Sequence, residues 1–303
     1  MTDIQVLVDC ANMLGENPLW DVEEQRFYWV DGMGHQIWRC ADDGSDVRSW
    51  TLPESVGAIG SMALRKAGGA VLATEAGVQF FDFESGVLER IAHPEEGKHH
   101  VRINDGKIDS RGRFVFGSLD IDAVFPPDPA NPGAPRGQLY RLDSDRKVHA
   151  LADGIIISNG PCWSPDNSTF YLADSWADKI YAYDWDEAAG TVSNRRDFAS
   201  FEQRTVPDGG TVDAEGYVWN VNNGGFSGEG ALWRFAPDGT LDRKIVMPVF
   251  KPTSMIFGGP NLDVIYVTSN RLPSEVAEKP NDGAVFAIRG LGIRGLPERR
   301  FTG

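Results

Sequence analysis

The sequence has few cysteines, no basic block and no long apolar run, and each lack excludes a class of protein. Its three cysteines, Cys10, Cys40 and Cys162, are odd in number and far apart, which is typical of reduced thiols rather than of a disulfide framework or a zinc-type CxxC pair. The formal net charge of −15, without clustered lysine or arginine, disfavours binding to nucleic acid or to an anionic membrane surface. No stretch of about 18 apolar residues is present to span a bilayer.

The motifs of three common enzyme classes are also missing. The chain has no GxSxG nucleophile elbow, no P-loop and no GxGxxG between a strand and a helix, so serine hydrolysis, nucleotide hydrolysis and dinucleotide redox chemistry have no support. The five histidines form no pair at metal-ligand spacing, and we assign them no role. The first residues, MTDIQVLVDC, lack the basic start and apolar core of a signal peptide. We therefore expect a cytoplasmic protein, a monomer or small homo-oligomer, whose partner is a small molecule.

Glycine, proline and aromatic residues are abundant and favour an all-β fold. The 34 glycines and 18 prolines indicate many tight turns rather than long helices, and a hydrophobic content of 41% can fill a sizeable core. Several segments repeat one layout: an apolar strand, a turn rich in Asp, Asn or Gly, a second strand, and a third strand with alternating aromatics. The clearest copy is WSPDNSTFYLADSWADKIYAYDWD, residues 163–186.

This layout occurs six times along the chain. The units start at residues 19, 63, 107, 163, 211 and 255, so successive starts lie 44 to 56 residues apart, close to the roughly 40 to 50 residues of a propeller blade. Alternation of period two within the units is typical of strands. The pattern predicts one domain over residues 1–303, a six-bladed β-propeller with four-stranded antiparallel blades. The strand around Ile4 to Val8 is expected to complete the last blade and close the ring.

Two proline-rich or polar segments interrupt the repeat. Residues 122–137, DAVFPPDPANPGAPRG, contain too many prolines to continue a ladder and are predicted to form a loop that stands off one face of the ring. Residues 272–283 are predicted to form a second loop of this kind. Either loop could be a variable surface connection or a wall of a binding pocket.

Four units place an oxygen-bearing side chain at the same position, five residues before the residue that opens the first turn. These side chains are Glu16, Asn104, Asn159 and Asp208, and the second unit has Gly60 there. The first strand of each propeller blade lines the central channel, so equivalent side chains at its entry point toward the axis from different directions. The alignment therefore predicts a ring of oxygen atoms at one mouth of the channel.

Such a ring suits a hard cation. Two carboxylates and two amide carbonyls, without cysteine or clustered histidine, are typical ligands of Ca²⁺, Mg²⁺ or Mn²⁺. The alternative is that N-D-G, S-N-G and P-D-G are ordinary turns that need no metal. Glu16 argues against that alternative, because glutamate is a poor turn former and gains nothing obvious from its place before an apolar strand.

At these residues the chain resembles the family of senescence marker protein (regucalcin), gluconolactonase and related sugar lactonases. The matching elements are LGENPLWD, RINDGKID, SNGPCWSPD, PDGGTVDAEG and KPTSMIFGG, which occur in family order and span nearly the whole chain. The resemblance implies a six-bladed propeller with one axial divalent cation bound by Glu16, Asn159 and Asp208. Ca²⁺ is the first expectation, with Zn²⁺, Mn²⁺, Mg²⁺ or Fe as alternatives.

The resemblance also implies residues that bind the substrate. The Arg and Asn of the family's R-x-N-D-G element correspond to Arg102 and Asn104, and an acidic residue that binds sugar hydroxyls in some members corresponds to Asp120 or Asp122, of which we take Asp122 as the candidate. The glycine that commonly follows the metal-binding glutamate is replaced here by Asn17.

The function that follows is hydrolysis of a sugar lactone to its aldonic acid. A cation on the lactone carbonyl would stabilise the oxyanion that forms when water attacks, and Asp208 would act as general base. Two other functions stay open: a diisopropyl fluorophosphatase-like hydrolysis of phosphotriesters, and a non-catalytic calcium-binding propeller.

Overall fold

The computed structural model describes residues 3–124, 135–202, 204–226, 228–274 and 276–303. Over these ranges the chain folds into six four-stranded antiparallel sheets arranged as the blades of a propeller, which confirms the predicted fold class. In each blade the strands follow chain order from the channel outward, except that the outermost strand of the last blade comes from the beginning of the chain.

The first three blades each consist of four consecutive strands. Blade 1 contains β2 (Gly15–Asp21), β3 (Arg26–Asp31), β4 (Gln36–Cys40) and β5 (Arg48–Thr51). Blade 2 contains β6 (Ile59–Leu64), β7 (Ala70–Thr74), β8 (Gly77–Phe81) and β9 (Leu88–Ala92). Blade 3 contains β10 (Val101–Ile108), β11 (Phe114–Asp120), β12 (Gly137–Leu142) and β13 (Val148–Ile155).

The other three blades complete the ring. Blade 4 contains β14 (Ser158–Trp163), β15 (Thr169–Asp174), β16 (Lys179–Asp186) and β17 (Thr191–Ser200). Blade 5 contains β18 (Pro207–Val212), β19 (Val218–Asn222), β20 (Ala231–Phe235) and β21 (Leu241–Val246). Blade 6 contains β22 (Pro252–Gly258), β23 (Val264–Ser269), β24 (Val285–Arg289) and β1 (Asp3–Val8).

The two ends of the chain close the propeller in different ways. β1 pairs antiparallel with β24, with Ile4 opposite Ile288, as the sequence predicted. The C-terminal residues 291–303 cross the face at which the inner strands end, where Gly295 bridges to Asp213 and Arg300 forms an ion pair with Asp21 at 2.6 Å. The opposite face, at which the inner strands begin, therefore holds the open mouth of the channel.

The core lies between neighbouring blades. Rings from adjacent sheets stack where blade 1 meets blade 6, with the centroids of Phe27 and Tyr266 4.4 Å apart and those of Trp20 and Tyr266 5.6 Å apart. All three rings are buried. Such pairs contribute about 0.5–1.5 kcal/mol each beyond the burial of their area. This packing fixes the positions of the inner strands that carry the channel residues.

Two short helical segments interrupt the strands. A 3₁₀ turn spans Glu54–Val56 and α1 spans Ile121–Val124, and neither of these helices in the described ranges approaches the length that crosses a bilayer.

The prediction of one loop over residues 122–137 is wrong at both ends, because Asp122 lies in α1 and Gly137 begins β12. The Asp120 carboxylate accepts the N–H groups of Asp122 (3.1 Å) and Ala123 (3.4 Å), which is the bonding of a helix N-cap. Residues 125–134 of the predicted loop lie outside the described residues.

Candidate functional site

Every inner strand has a register shift near its first residues. A bulge of this kind re-aims the side chains next to it, and bulges are frequent beside active sites. The shift occurs at the level of the aligned ring positions in all six blades, between Glu16 and Leu19, Ile59 and Ser61, Ile103 and Gly106, Asn159 and Cys162, Pro207 and Gly210, and Pro252 and Met255. The aligned residues therefore lie at one mouth of the channel.

Blades 2 and 6 contribute no free oxygen to this ring. A Cβ atom added to Gly60 would lie 2.5 Å from the Asn104 carbonyl oxygen, so only glycine fits there. The equivalent residue of blade 6, which the sequence alignment missed, is Thr253; its buried hydroxyl donates to the Gly15 carbonyl and lies 2.9 Å from the Thr268 hydroxyl. The ring side chains with oxygen atoms left for a ligand therefore come from blades 1, 3, 4 and 5.

Two of these side chains are carboxylates that disfavour each other's charge. Burial, followed by the negative charges of Asp208 and Asp105, raises the pKa of Glu16 well above its usual range. Burial also raises the pKa of Asp208 to about 8; a hydrogen bond from Asn223 opposes this shift and the charge of Asp105 adds to it. Glu16 and Asp208 therefore lie close enough for their charges to interact, and their surroundings disfavour the ionised form of both carboxylates.

Asp105 is a buried carboxylate beside this pair, and the sequence analysis assigned no role to it. One of its oxygens accepts the Gly160 N–H at 2.8 Å, and the other accepts its neighbour Gly106 N–H at 2.7 Å and the Asn17 amide at 3.4 Å. These bonds join blades 1, 3 and 4 around the axis. Asp105 thus fixes the inner strands while adding negative charge under the mouth.

Asn104 and Asn159 are in direct contact. The Asn104 Nδ2 donates to Asn159 Oδ1 at 2.8 Å and to the Ser158 carbonyl at 2.9 Å, while Asn159 Nδ2 donates to Ser175 Oγ at 2.8 Å. Both amides are thereby fixed in orientation. The Asn159 carbonyl oxygen has a second lone pair, which leaves it able to accept a further partner.

Two asparagines of the same blade fix the position of Asp208 by hydrogen bonds. Asn223 Nδ2 donates to Asp208 Oδ2 at 3.4 Å, and Asn220 Nδ2 donates to the Asp208 backbone carbonyl at 2.7 Å. The side chain of Asp208 is 7% exposed, so it is nearly excluded from bulk water. Both asparagines escaped the sequence analysis, since they lie on β19 and just after it, away from the inner strand.

Arg102 lies between the ring and a side cavity. Its Nη1 donates to Asn104 Oδ1 at 3.3 Å, and the charges of Glu75 and Glu16 act on the guanidinium. The cavity has a volume of about 260 Å³ and is lined mainly by polar residues of blades 2 and 3, including Arg102, Glu75, His93, Glu95, Lys98 and His100. Arg102 is therefore in contact with Asn104, and Arg102 borders a space large enough for a small ligand.

Asn17 adopts the backbone conformation that favours glycine. Its φ is +47°, in the left-handed region that asparagine tolerates better than most residues. Its side chain accepts the Met62 N–H at 2.8 Å and donates to the Gly106 carbonyl at 3.2 Å. The replacement of glycine by asparagine thus keeps the local conformation and adds bonds between blades 1, 2 and 3.

The two acidic candidates after β11 occupy different surroundings. Asp120 is buried and binds the Arg136 side chain and backbone in addition to capping α1, which is a structural role. Asp122 is partly exposed, forms an ion pair with Arg136 at 2.8 Å and lies 3.5 Å from His100. Neither carboxylate is hydrogen-bonded to Arg102 or Asn104, so the structure does not join Asp122 to the ring.

The donor set of the ring fits a hard divalent cation. Within the described ranges, no three His, Cys, Asp or Glu side chains gather closely enough to hold a metal by themselves, so a cation at this mouth would need the amide oxygen of Asn159 beside Glu16 and Asp208. Burial, together with neighbouring negative charge, raises the pKa of both carboxylates, and a bound cation would favour their ionised form. Carboxylate and amide oxygens are ligands that such cations prefer.

The raised pKa of Asp208 predicts how stability depends on pH without metal. Between its usual value of 3.8 and about 8, the folded protein holds a proton that the unfolded chain has lost. The free energy of unfolding of the metal-free protein therefore falls as pH rises through this window, and Asp208 contributes at most about 1.4 kcal/mol per pH unit to this fall. Urea unfolding in chelator at pH 5, 6, 7 and 8 measures this slope.

The matched variants for this experiment are Asp208→Asn and Asp184→Asn. The first removes one titrating group and should reduce the slope, the remainder of which comes from Glu16, whose pKa is also raised. The second changes an exposed carboxylate whose pKa is lowered by Asn194 and Arg196, and it should leave the slope above pH 5 unchanged. Equal slopes in the parent and Asp208→Asn would contradict the assignment.

Comparisons with known proteins agree with the geometry. A family model described as SMP-30/Gluconolactonase/LRE-like region matches residues 14–271. A 6-deoxy-6-sulfogluconolactonase from Pseudomonas putida is 34% identical over 305 residues, which cover 99% of each chain. An L-arabinolactonase from Azospirillum brasilense is 34% identical over 303 residues, covering 98% of this chain and 95% of that protein.

A solved structure supports the same relationship. That of a luciferin-regenerating enzyme superposes with a TM-score of 0.88 at 26% identity and covers 100% of both chains. The resemblance inferred from the five sequence elements is thereby confirmed. The chain belongs to the SMP-30/gluconolactonase/LRE-like family.

Proposed function

We propose that this protein is a divalent-metal-dependent hydrolase that opens a sugar lactone to the aldonic acid. The observation that carries the proposal is the pair of carboxylates, Glu16 partly buried and Asp208 buried, beside the oriented amide of Asn159 at the mouth of the channel. Two relatives along the whole chain are named as lactonases of different sugars, which supports this class of substrate without selecting one sugar.

Glu16, Asn159 and Asp208 are the residues that would hold the cation. When bound there, a divalent cation supplies Lewis acidity to the lactone carbonyl. Its charge would favour the ionised form of both carboxylates, whose pKa burial and neighbouring negative charge raise.

Asp208 handles the proton of the reaction. Its carboxylate takes a proton from the water whose oxygen forms the new bond to the lactone carbonyl carbon. When the bond between that carbon and the ring oxygen breaks, Asp208 returns the proton to the ring oxygen, which becomes the hydroxyl of the aldonic acid. The nearly buried position of Asp208 limits competition from bulk water.

Arg102 and Asn104 orient the substrate. Arg102 places its guanidinium next to the ring of channel oxygen atoms, where it donates hydrogen bonds to the oxygen atoms of the lactone. Asn104 holds Asn159 in place through the 2.8 Å hydrogen bond. Asp122 is kept as a more distant candidate for sugar hydroxyls, because its partner in the structure is Arg136.

The test is a panel of pentono- and hexonolactones in which acid release is measured at constant pH with Ca²⁺, Mg²⁺, Mn²⁺ or Zn²⁺. We expect cation-dependent hydrolysis of at least one sugar lactone. A fluorophosphate triester assayed in parallel separates the phosphotriesterase alternative. Hydrolysis of the triester alone would overturn the proposal, and absence of any hydrolysis with a bound cation would favour a non-catalytic propeller.

A further inference from the structure

Two aromatic side chains stand at the mouth of the channel and have no part in the mechanism above. Trp176 follows β15 and Phe226 lies in the segment after β19. Ser158 pairs with Asp174 at the end of β15, and Pro207 pairs with Asn222 at the end of β19. Both aromatic segments therefore leave their strands at the level of Asn159 and Asp208.

Each of these segments is bonded directly to a ring residue. Ser175, the residue before Trp176, accepts the Asn159 amide at 2.8 Å. Asn223 donates to Asp208 at 3.4 Å and accepts the Gly225 N–H at 3.1 Å, next to Phe226. The positions of the Trp176 and Phe226 aromatic rings are thus coupled to the side chains that would hold the cation.

The two rings also fix each other. Their centroids are 5.6 Å apart at an interplanar angle of 68°, and the Arg204 guanidinium carbon lies 4.1 Å from the centroid of Phe226. Asp178, two residues after Trp176, accepts the N–H of Arg204 at 2.8 Å. Both rings are nevertheless partly exposed, so each keeps apolar surface open to a ligand.

The mouth is therefore asymmetric in its chemistry. Arg102 and Asn104 of blade 3 offer polar atoms, whereas blades 4 and 5 offer apolar ring surface. A sugar lactone has the same asymmetry, because its hydroxyl edges form hydrogen bonds and its C–H face is apolar. Aromatic side chains with a few placed polar groups are typical of small-molecule sites.

We propose that Trp176 and Phe226 form an aromatic wall that packs on the C–H face of the substrate's sugar ring and so determines substrate affinity and ring preference. This inference rests on the proposed function, since it assigns the wall to the same site. The wall binds ground state and transition state alike, so its removal raises KM more than it lowers kcat.

The test compares Trp176→Leu and Phe226→Leu with a matched control. Trp50 and Phe83 form a similar pair, 4.6 Å apart, on the outer edge of the propeller, and Trp50 is likewise partly exposed. We expect a roughly five- to tenfold rise in KM for each wall variant, a fall in kcat of less than about threefold, and parental values for Trp50→Leu. Trp176→Phe, which keeps a ring, should recover most of the affinity.

Binding of a sugar lactam, which keeps the ring but resists hydrolysis, gives a readout that does not depend on turnover. Calorimetry with the cation-loaded protein should show the same five- to tenfold weakening in the wall variants, with circular dichroism confirming that they are folded. Parental KM and parental lactam affinity in both wall variants would overturn the wall while leaving the lactonase proposal intact. Weakened lactam binding without any lactone hydrolysis by the parent would support the wall and overturn the lactonase; absence of both binding and hydrolysis in the parent would overturn both.

Discussion

Asp208→Asn is expected to lower kcat about 10²–10⁴-fold at saturating cation, because the amide is nearly isosteric with the carboxylate but cannot accept the proton of the attacking water. The loss should come without unfolding. In the metal-free protein the variant should even be more stable at pH 8, since it removes one of two neighbouring carboxylates whose pKa is raised. Initial rates on the best lactone and thermal unfolding measure the two effects.

The control for this variant is the same change at an exposed site. Asp184 lies on β16 at the surface and binds Asn194 and Arg196, so Asp184→Asn should retain parental kcat. If Asp208→Asn hydrolyses lactones at the parental rate, Asp208 is not the base. If it is unfolded, the proposed local relief of charge is wrong.

Removal of the cation is expected to have the second-largest effect, a fall in turnover of at least about 100-fold that added cation reverses. The cation binds the folded protein alone, so it should also raise the thermal midpoint of the parent; at a concentration of about 1,000 times its Kd the stabilisation is about 4 kcal/mol. Glu16→Gln keeps the shape but loses one ligand charge, and the cation should stabilise it much less.

Glu89→Gln is the matched control for that experiment. Glu89 is exposed and pairs with Arg146 at the outer strand of blade 2, so its variant should show the full parental shift in midpoint. Unchanged activity in the chelator-treated parent would exclude a role of the cation in the reaction. An equal shift in the parent and in Glu16→Gln would place the cation elsewhere.

Much of the fold could be predicted because one layout recurs along the chain. The repeat period gave the number of blades, and alternation within each unit gave the strands. Alignment of the units brought Glu16, Asn104, Asn159 and Asp208 to one level without any knowledge of tertiary contacts, and the structure places all four at the same mouth. Local sequence signals repeated at a fixed spacing were therefore sufficient to predict the blades and the level of these four side chains.

What could not be predicted depends on contacts between residues far apart in sequence. Asp105 resembles an ordinary turn residue before glycine, yet its partners Gly160 and Asn17 lie 55 and 88 positions away. The contact of Trp176 with Phe226 likewise joins two blades. No periodicity in the sequence marks such pairs.

Two local predictions also needed the structure. Asn17 stands where the resemblance implies a glycine, and only its φ of +47° shows that it adopts the left-handed conformation that glycine favours. The predicted start of the proline-rich loop, Asp122, was wrong because Asp122 lies in the short helix α1. The Asp120 carboxylate caps this helix by accepting the Asp122 N–H, and so local a hydrogen bond leaves no pattern in the sequence.

The central claim is that Glu16, Asn159 and Asp208 share one divalent cation. Crystals soaked in Mn²⁺ and measured at a wavelength where manganese scatters anomalously test it most directly. The account predicts one strong anomalous peak in contact with all three side chains, and its loss in Glu16→Gln. A peak bound elsewhere, or no peak at millimolar Mn²⁺ in crystals of the active protein, would contradict it.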